Sequence, residues 1–195
     1  MFHRGYFSNQ YSTGLFWKKA AGCEHVVQLY RDEKILLDAL EGFAGNGLRA
    51  DDESVIVIAT AGHLHELEKR MRAGGIDIDR VRWQNRYFAL LAEESLRGFM
   101  VNGWPDEVRF TEMMASFVER ARDKGRKVRI FGEMVAILWG RGLFSATLRL
   151  EQLWDKLVHS RQLLMFCAYP TGDELSRAPI PFDDICAQHA RVIPG

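Results

Sequence analysis

Two runs of apolar residues constrain this chain more than anything else in it. Ser54-Val-Ile-Val-Ile-Ala59 and Leu163-Leu-Met-Phe-Cys-Ala168 are hydrophobic almost without interruption. A strand with one wet face would alternate apolar and polar residues, so the first run is the mark of a parallel strand covered on both faces, between helix layers, and the second reads as the last strong strand. The rest of the chain supplies the helices. Asp32 is a suitable cap for a helix through Ile35, Leu36, Ala39, Leu40 and Phe43, expected to stop near Gly45 and Gly47. A second helix turns Leu64, Leu67 and Met71 inward and ends at Gly74-Gly75.

The same alternation continues along the chain. His25–Tyr30 reads as the first strand, Val81–Trp83 as a weak one and Val128–Phe131 as a strong one. Helices are expected over Ala89–Met100, Pro105–Lys124, Met134–Trp139, Ala146–Val158 and, last, Phe182–Val192. Pro105 suits a first helical turn, and Pro170 and Gly172 end the last strong strand. The expected fold class is α/β: a three-layer, mostly parallel sheet with helices on both faces and right-handed crossovers. Residues 23–195 read as one domain. Residues 1–22 read as an arm that packs on the domain or on a partner, because Phe2, Tyr6, Phe7, Tyr11, Phe16 and Trp17 are too many aromatics for a disordered tail.

Composition narrows the partners. Lys plus Arg and Asp plus Glu are both 26, so no net charge draws the chain to nucleic acid or to an anionic membrane. Apolar runs long enough to span a membrane are absent, and the amino terminus lacks the apolar core of a secretory signal. Three cysteines without a CxxC spacing fit reduced thiols and a cytoplasmic location.

A phosphate cradle is missing. The residues after Tyr30 are Arg31-Asp-Glu-Lys, with two carboxylates where a P-loop presents glycine amides, and no Gly-Lys dipeptide occurs anywhere. ATP hydrolysis by the standard route is not expected. No GxGxxG follows any strand either, and no cofactor is expected.

Val128–Gly142 is the stretch that points to a site. A strand turns through Gly132 into Glu133 and then an apolar helix with Trp139, placing a carboxylate at the carboxyl ends of the strands, where open α/β sheets bind ligands. Glu133 needs a partner if buried, and Arg31 and Arg129 are the candidates, unless a ligand meets it. Cys167 and Tyr169 share one strand face, expected near the same sheet edge as Tyr30 and Glu133.

Two further groups carry weaker signals. Cys23 and His25 share a strand face, either as a reactive pair or as a buried thiol beside a hydrogen-bonded imidazole. His63-Leu-His65-Glu66 resembles a metal motif, but helical residues i and i+2 point about 200° apart. Only His63 and Glu66 share a side there, and a polar first helical turn, with Glu66 near the positive helix end, is the preferred explanation. No metal site is expected.

Several segments together resemble the MEDS family, the methanogen and methylotroph sensory domain. They are HVVQLYRDE, GRKVRIFGEMVAILWGRG, LRLEQLWDKL, LLMFCAYP and ICAQHARVIP, which run in order from His25 to Pro194. The resemblance implies a RecA-like domain without its P-loop, acting in prokaryotic signal transduction by recognising a simple hydrocarbon derivative. Carried over by position, the matching residues are His25, Tyr30, Gly132, Glu133, Trp139, Glu151, Trp154, Cys167 and Tyr169. Family members are often fused to an output module, and the short flanks here leave no room for a helix-turn-helix.

The expectation is therefore a stand-alone, non-enzymatic sensor that signals through a partner protein. Its ligand-binding residues are expected to be His25, Tyr30, Arg31, Glu133, Trp139, Cys167 and Tyr169. The alternatives are a ligand-free interaction module, dimerised through the arm, and an enzyme using Cys23 with His25 or Glu133 with His25.

Overall fold

The computed structural model describes residues 16–17, 23–171 and 182–194. Six parallel strands form the central sheet: β1 (Glu24–Tyr30), β2 (Glu53–Ala59), β3 (Tyr87–Leu91), β6 (Lys127–Gly132), β7 (Leu164–Pro170) and β8 (Arg191–Pro194). Their spatial order is β3-β2-β6-β7-β1-β8. Two short antiparallel strands, β4 (Met100–Val101) and β5 (Trp104–Pro105), form a separate ribbon.

The helices divide cleanly between the two faces. α1 (Glu33–Arg49), α2 (Ala61–Ala73) and α3 (Ile78–Trp83) cover one face, closing a core of Leu36, Leu40, Phe43, Leu67, Met71 and Val57. α4 (Ala92–Phe99), α5 (Glu107–Ala121), α6 (Met134–Gly140), α7 (Phe144–Arg161) and α8 (Phe182–Ala187) cover the other, around Phe99, Phe110, Trp139, Trp154 and Met165. The division follows from crossover handedness. The connections β1 to β2 and β2 to β3 move one way across the sheet, and their helices lie on the first face. Those from β3 to β6, β6 to β7 and β7 to β8 move the other way, and theirs lie on the second. A single crossover hand requires this arrangement.

Local chemistry starts the helices. Asp32 accepts the Lys34 N–H at 2.6 Å at the head of α1, Asp77 accepts the Arg80 N–H at 3.0 Å at α3, and Asp106 accepts the Arg109 N–H at 2.9 Å at α5. β2 is buried from Ser54 to Ala59, as its unbroken apolar run requires.

Several expected boundaries are corrected. α1 passes through Gly45 and Gly47 to Arg49. Gly47 is there for space: a Cβ would lie 2.8 Å from the Val55 side chain and 2.9 Å from Arg129. Val81–Trp83 belongs to helix α3, because the Asp77 cap nucleates a turn that the short apolar pattern resembled only by chance. Ala89–Leu91 is the end of β3, which runs into α4 at Ala92 with no loop to mark the change. The last helix stops at Ala187, and Arg191–Pro194 pairs with β1 as an edge strand.

Of the arm, Phe2, Tyr6, Phe7 and Tyr11 lie outside the described residues, as does Gly172. Trp17 is fully buried on the first face, 4.8 Å from the Phe43 ring and 4.7 Å from the Phe166 ring, and its carbonyl accepts from Arg129 Nη1 at 3.0 Å.

Candidate functional site

The sheet opens where neighbouring strands send their chains to opposite faces. β2 leaves toward α2 and β6 leaves toward α6, so the chain departs from this pair toward opposite faces, the usual ligand position in an open α/β sheet. Glu133 stands at that point. Its backbone N–H still bonds the β2 carbonyl of Ile58 at 2.9 Å, which carries the register of the sheet into the turn. The residue is 6% exposed, and its side chain reaches across to the head of α2. Oε2 accepts the Thr60 N–H at 2.8 Å, and Oε1 lies 2.8 Å from His63 Nδ1. Thr60 caps α2 through its own hydroxyl, which accepts the His63 N–H at 3.4 Å.

The partner of Glu133 is thus a histidine and a backbone amide, not Arg31 or Arg129. Arg31 is exposed in the turn after β1, and Arg129 pairs with Glu53 and the Trp17 carbonyl. His63 turns away from Glu66, which pairs with Lys69 and Arg70, while His65 is exposed. The hydrogen bond that His63 donates to Glu133, set against partial burial, raises the His63 pKa above 6.5, with smaller help from the charges of Glu133 and Glu33. Tyr30, at the end of β1, faces the same negative field. Burial, then Glu133 and Glu33, push its phenol up to about 12, so it is a hydrogen-bond donor at any physiological pH.

The other expected residues gather elsewhere. His25, Cys167 and Tyr169 point to the second face, under α7, and meet Glu151 and His189 there. Cys167 Sγ lies 3.4 Å from His25 Nε2, and its thiol donates to Glu151 Oε2 at 3.5 Å. Tyr169 donates its hydroxyl to Glu151 Oε1. Asp155, one turn beyond Glu151 on α7, stands 3.9 Å from His25 Nδ1. Burial pulls the His25 imidazole down, but hydrogen bonds and charges of Asp155 and Glu151 reverse this and leave it above 6.5. Burial pushes the Glu151 carboxyl up, and the charges and hydrogen bonds of His189 and His25 outweigh it, so the group sits well below the usual carboxylate range. Burial, with the Glu151 charge behind it, lifts the Cys167 thiol and the Tyr169 phenol well above their ordinary values.

Trp139 packs edge-on against Tyr169, Phe144 and Phe182, with ring centroids 5.9, 4.8 and 5.4 Å away. It is fully buried, and large aromatic rings fill its surroundings. Cys23 donates its thiol to the Val158 carbonyl at 3.1 Å; the thiol beside His25 is Cys167 instead.

Sequence reasoning missed Thr60 and the pairing of His63 with Glu133, and it gave Asp155 and His189 no role. His189 lies inside the ICAQHARVIP segment, but no spacing rule connects residues 25, 151, 167 and 189. The pairing of β7 with β1 sets Cys167 beside His25, α7 lays Glu151 over them, and the pairing of β8 with β1 carries His189 to the same place.

An open groove, about 870 Å³, lies at the amino ends of the strands between Arg49, Ile76, Trp83, Arg86, Lys124 and Arg126. Arg86 there is already committed to the backbone, donating to the carbonyls of Leu48 at 2.9 Å and Glu53 at 3.1 Å and also to that of Ala50. The groove wall mixes both charge signs, with Asp51, Asp52, Asp77 and Asp123 among its basic residues. Arg86 is therefore not free to meet a ligand in this groove.

Fold and site together define an α/β three-layer domain with a buried carboxylate at the parting of two parallel strands. Residues 24–183 match the model of the MEthanogen/methylotroph, DcmR Sensory domain, and the chain belongs to this MEDS family of sensory domains. No curated protein matches the chain. Among the described residues, no helix is long and apolar enough to cross a membrane.

Proposed function

We propose that this protein is a non-enzymatic sensor of prokaryotic signal transduction that binds a small hydrocarbon derivative in the carboxyl-end crevice and signals through a partner protein. One observation carries the reading. Glu133 is a buried carboxylate, paired with a histidine, at the place where β2 and β6 exit to opposite faces. Glu133, His63 and the Tyr30 hydroxyl meet the polar end of the ligand, and Arg31 lies at the rim. The turn after β1 supports a non-nucleotide ligand, because Asp32 and Glu33 repel phosphate there. Occupancy shifts the balance between conformations of the α2 and α6 heads, which both touch Glu133.

A second reading has its own support. Trp139 and Tyr169 are fully buried in a cluster with Phe144 and Phe182, so they offer no open apolar wall, and a ligand-free interaction module would need none. Thermal unfolding separates the two. Small halogenated and hydroxylated hydrocarbons are tested against wild type and Glu133→Ala. A ligand at a hundred times its Kd stabilises by about 2.7 kcal/mol. For a chain of this size that is roughly 5–11 °C in midpoint. A concentration-dependent rise that disappears in Glu133→Ala supports the sensor. No rise with any compound supports the interaction module.

A further inference from the structure

We infer that His25, Glu151, Cys167 and His189 form a binding site for one zinc-class divalent cation, buried between the sheet and α7. This stands apart from the sensory reading, on the other face of the sheet. The four residues come from β1, α7, β7 and the segment before β8, and all four are buried. One donor atom from each lies within 4.8 Å of all the others. Four of the six donor pairs are closer still. His25 Nε2 lies 3.4 Å from Cys167 Sγ and 3.4 Å from Glu151 Oε2. Glu151 Oε2 lies 3.5 Å from Cys167 Sγ and 3.5 Å from His189 Nε2. A tetrahedron with metal bonds of about 2.0–2.3 Å has edges of roughly 3.3–3.7 Å. Four of the six edges already match such a figure.

The hydrogen bonding around the cluster aims these atoms inward. His189 Nδ1 donates to the Ile185 carbonyl at 2.8 Å, so in the neutral ring the proton is on Nδ1 and the lone pair of Nε2 faces Glu151. That Nε2 is buried and meets Glu151 Oε2 at 3.5 Å. His25 points Nδ1 toward Asp155 and Nε2 into the cluster, the carboxylate–histidine order that orients a metal ligand. Tyr169 holds the second oxygen of Glu151. Lone pairs converging in a dry interior repel unless positive charge lies among them.

The donor set indicates which cation. Two neutral imidazoles, a carboxylate and a thiolate balance a divalent ion, and binding releases to solvent the Cys167 proton together with the extra proton of any imidazolium in the cluster. Nitrogen and sulfur donors favour zinc over magnesium or calcium, and four protein ligands leave no open position, as in a structural site. The ion would join the β8 edge to β1, β7 and α7.

The test is cobalt titration of metal-stripped full-length protein, followed by zinc competition and metal analysis of the gel-filtered product. The expected result is one equivalent of cobalt with a tetrahedral visible spectrum and a thiolate charge-transfer band, displaced by one equivalent of zinc. Cys167→Ala removes the charge-transfer band, His189→Gln removes stoichiometric binding, and Cys23→Ser keeps both. Tyr169→Phe weakens zinc binding roughly 10–100-fold by freeing the outer oxygen of Glu151. Absence of stoichiometric cobalt binding by folded wild-type protein overturns the inference, and so does a spectrum unchanged in Cys167→Ala. The wild-type titration decides the matter even where a variant does not fold.

Discussion

Replacing Glu133 with glutamine separates the charge of the crevice from its shape. The carboxylate accepts two hydrogen bonds, from the Thr60 N–H at 2.8 Å and from His63 Nδ1 at 2.8 Å when that ring is protonated. Glutamine keeps an oxygen for the Thr60 amide and turns its NH2 toward His63. A neutral imidazole accepts from that NH2, but an imidazolium confronts it donor to donor. The His63 pKa is raised in the folded protein, so the stability from its charged form is fully present below the unfolded value of about 6.5. It is lost as pH rises through the folded value. A charge-assisted hydrogen bond contributes about 1.5–3 kcal/mol, and partial solvent contact at His63 reduces this to about 1–2 kcal/mol. At roughly 2–4 °C per kcal/mol, Glu133→Gln lowers the midpoint by about 2–8 °C at pH 6. By pH 9 the difference shrinks toward zero. Thermal unfolding of both proteins across this range, followed by circular dichroism, measures it. A deficit that is flat with pH, or that grows as pH rises, refutes the assignment of His63 as the charged partner.

Further predictions concern the rest of the molecule. Trp17→Ala empties a fully buried site against Phe43 and Phe166 and costs about 3–5 kcal/mol, read as a lower urea midpoint; a loss under about 1 kcal/mol contradicts its place in the core. In metal-free protein, Cys167 reacts with a disulfide reagent near neutral pH far more slowly than the same thiol in denaturant, since burial keeps it protonated; equal rates contradict that burial. Magnesium-ATP leaves the unfolding midpoint unchanged, because the turn after β1 presents Asp32 and Glu33 in place of a phosphate cradle; a concentration-dependent rise reverses the conclusion.

The parts of the fold legible in the sequence are those whose burial leaves a local mark. β2 and β7 show it as unbroken apolar runs, and α2 as Leu64, Leu67 and Met71 at helical spacing. β3 was hidden because it passes into α4 without turn residues, and β8 because a four-residue edge strand is defined by its pairing with β1. Gly45 and Gly47 resemble a stop signal, but both lie inside α1, where Gly47 admits a close approach of the sheet and Gly45 leaves room for the Arg49 side chain.

The site was legible in part for the same reason. Glu133 follows directly from a strand, a glycine and a helix, so its position at the carboxyl end was readable. Its partner on α2 was not, since residues 63 and 133 meet only through the pairing of β2 with β6. Tyr169 and Tyr30 were expected at one sheet edge. Alternation sends them to opposite faces, because Tyr169 pairs with Leu29, one residue before Tyr30.

The central claim is that a small organic ligand binds at the parting of β2 and β6. The most direct test is to map the backbone amide resonances of the isotopically labelled protein during titration with the compound that most raises its unfolding midpoint. Saturable shifts concentrated at Thr60, His63, Glu133 and Tyr30 are the predicted result. Shifts concentrated at Trp83, Arg86 and Lys124, in the groove at the opposite end of the strands, would contradict the account.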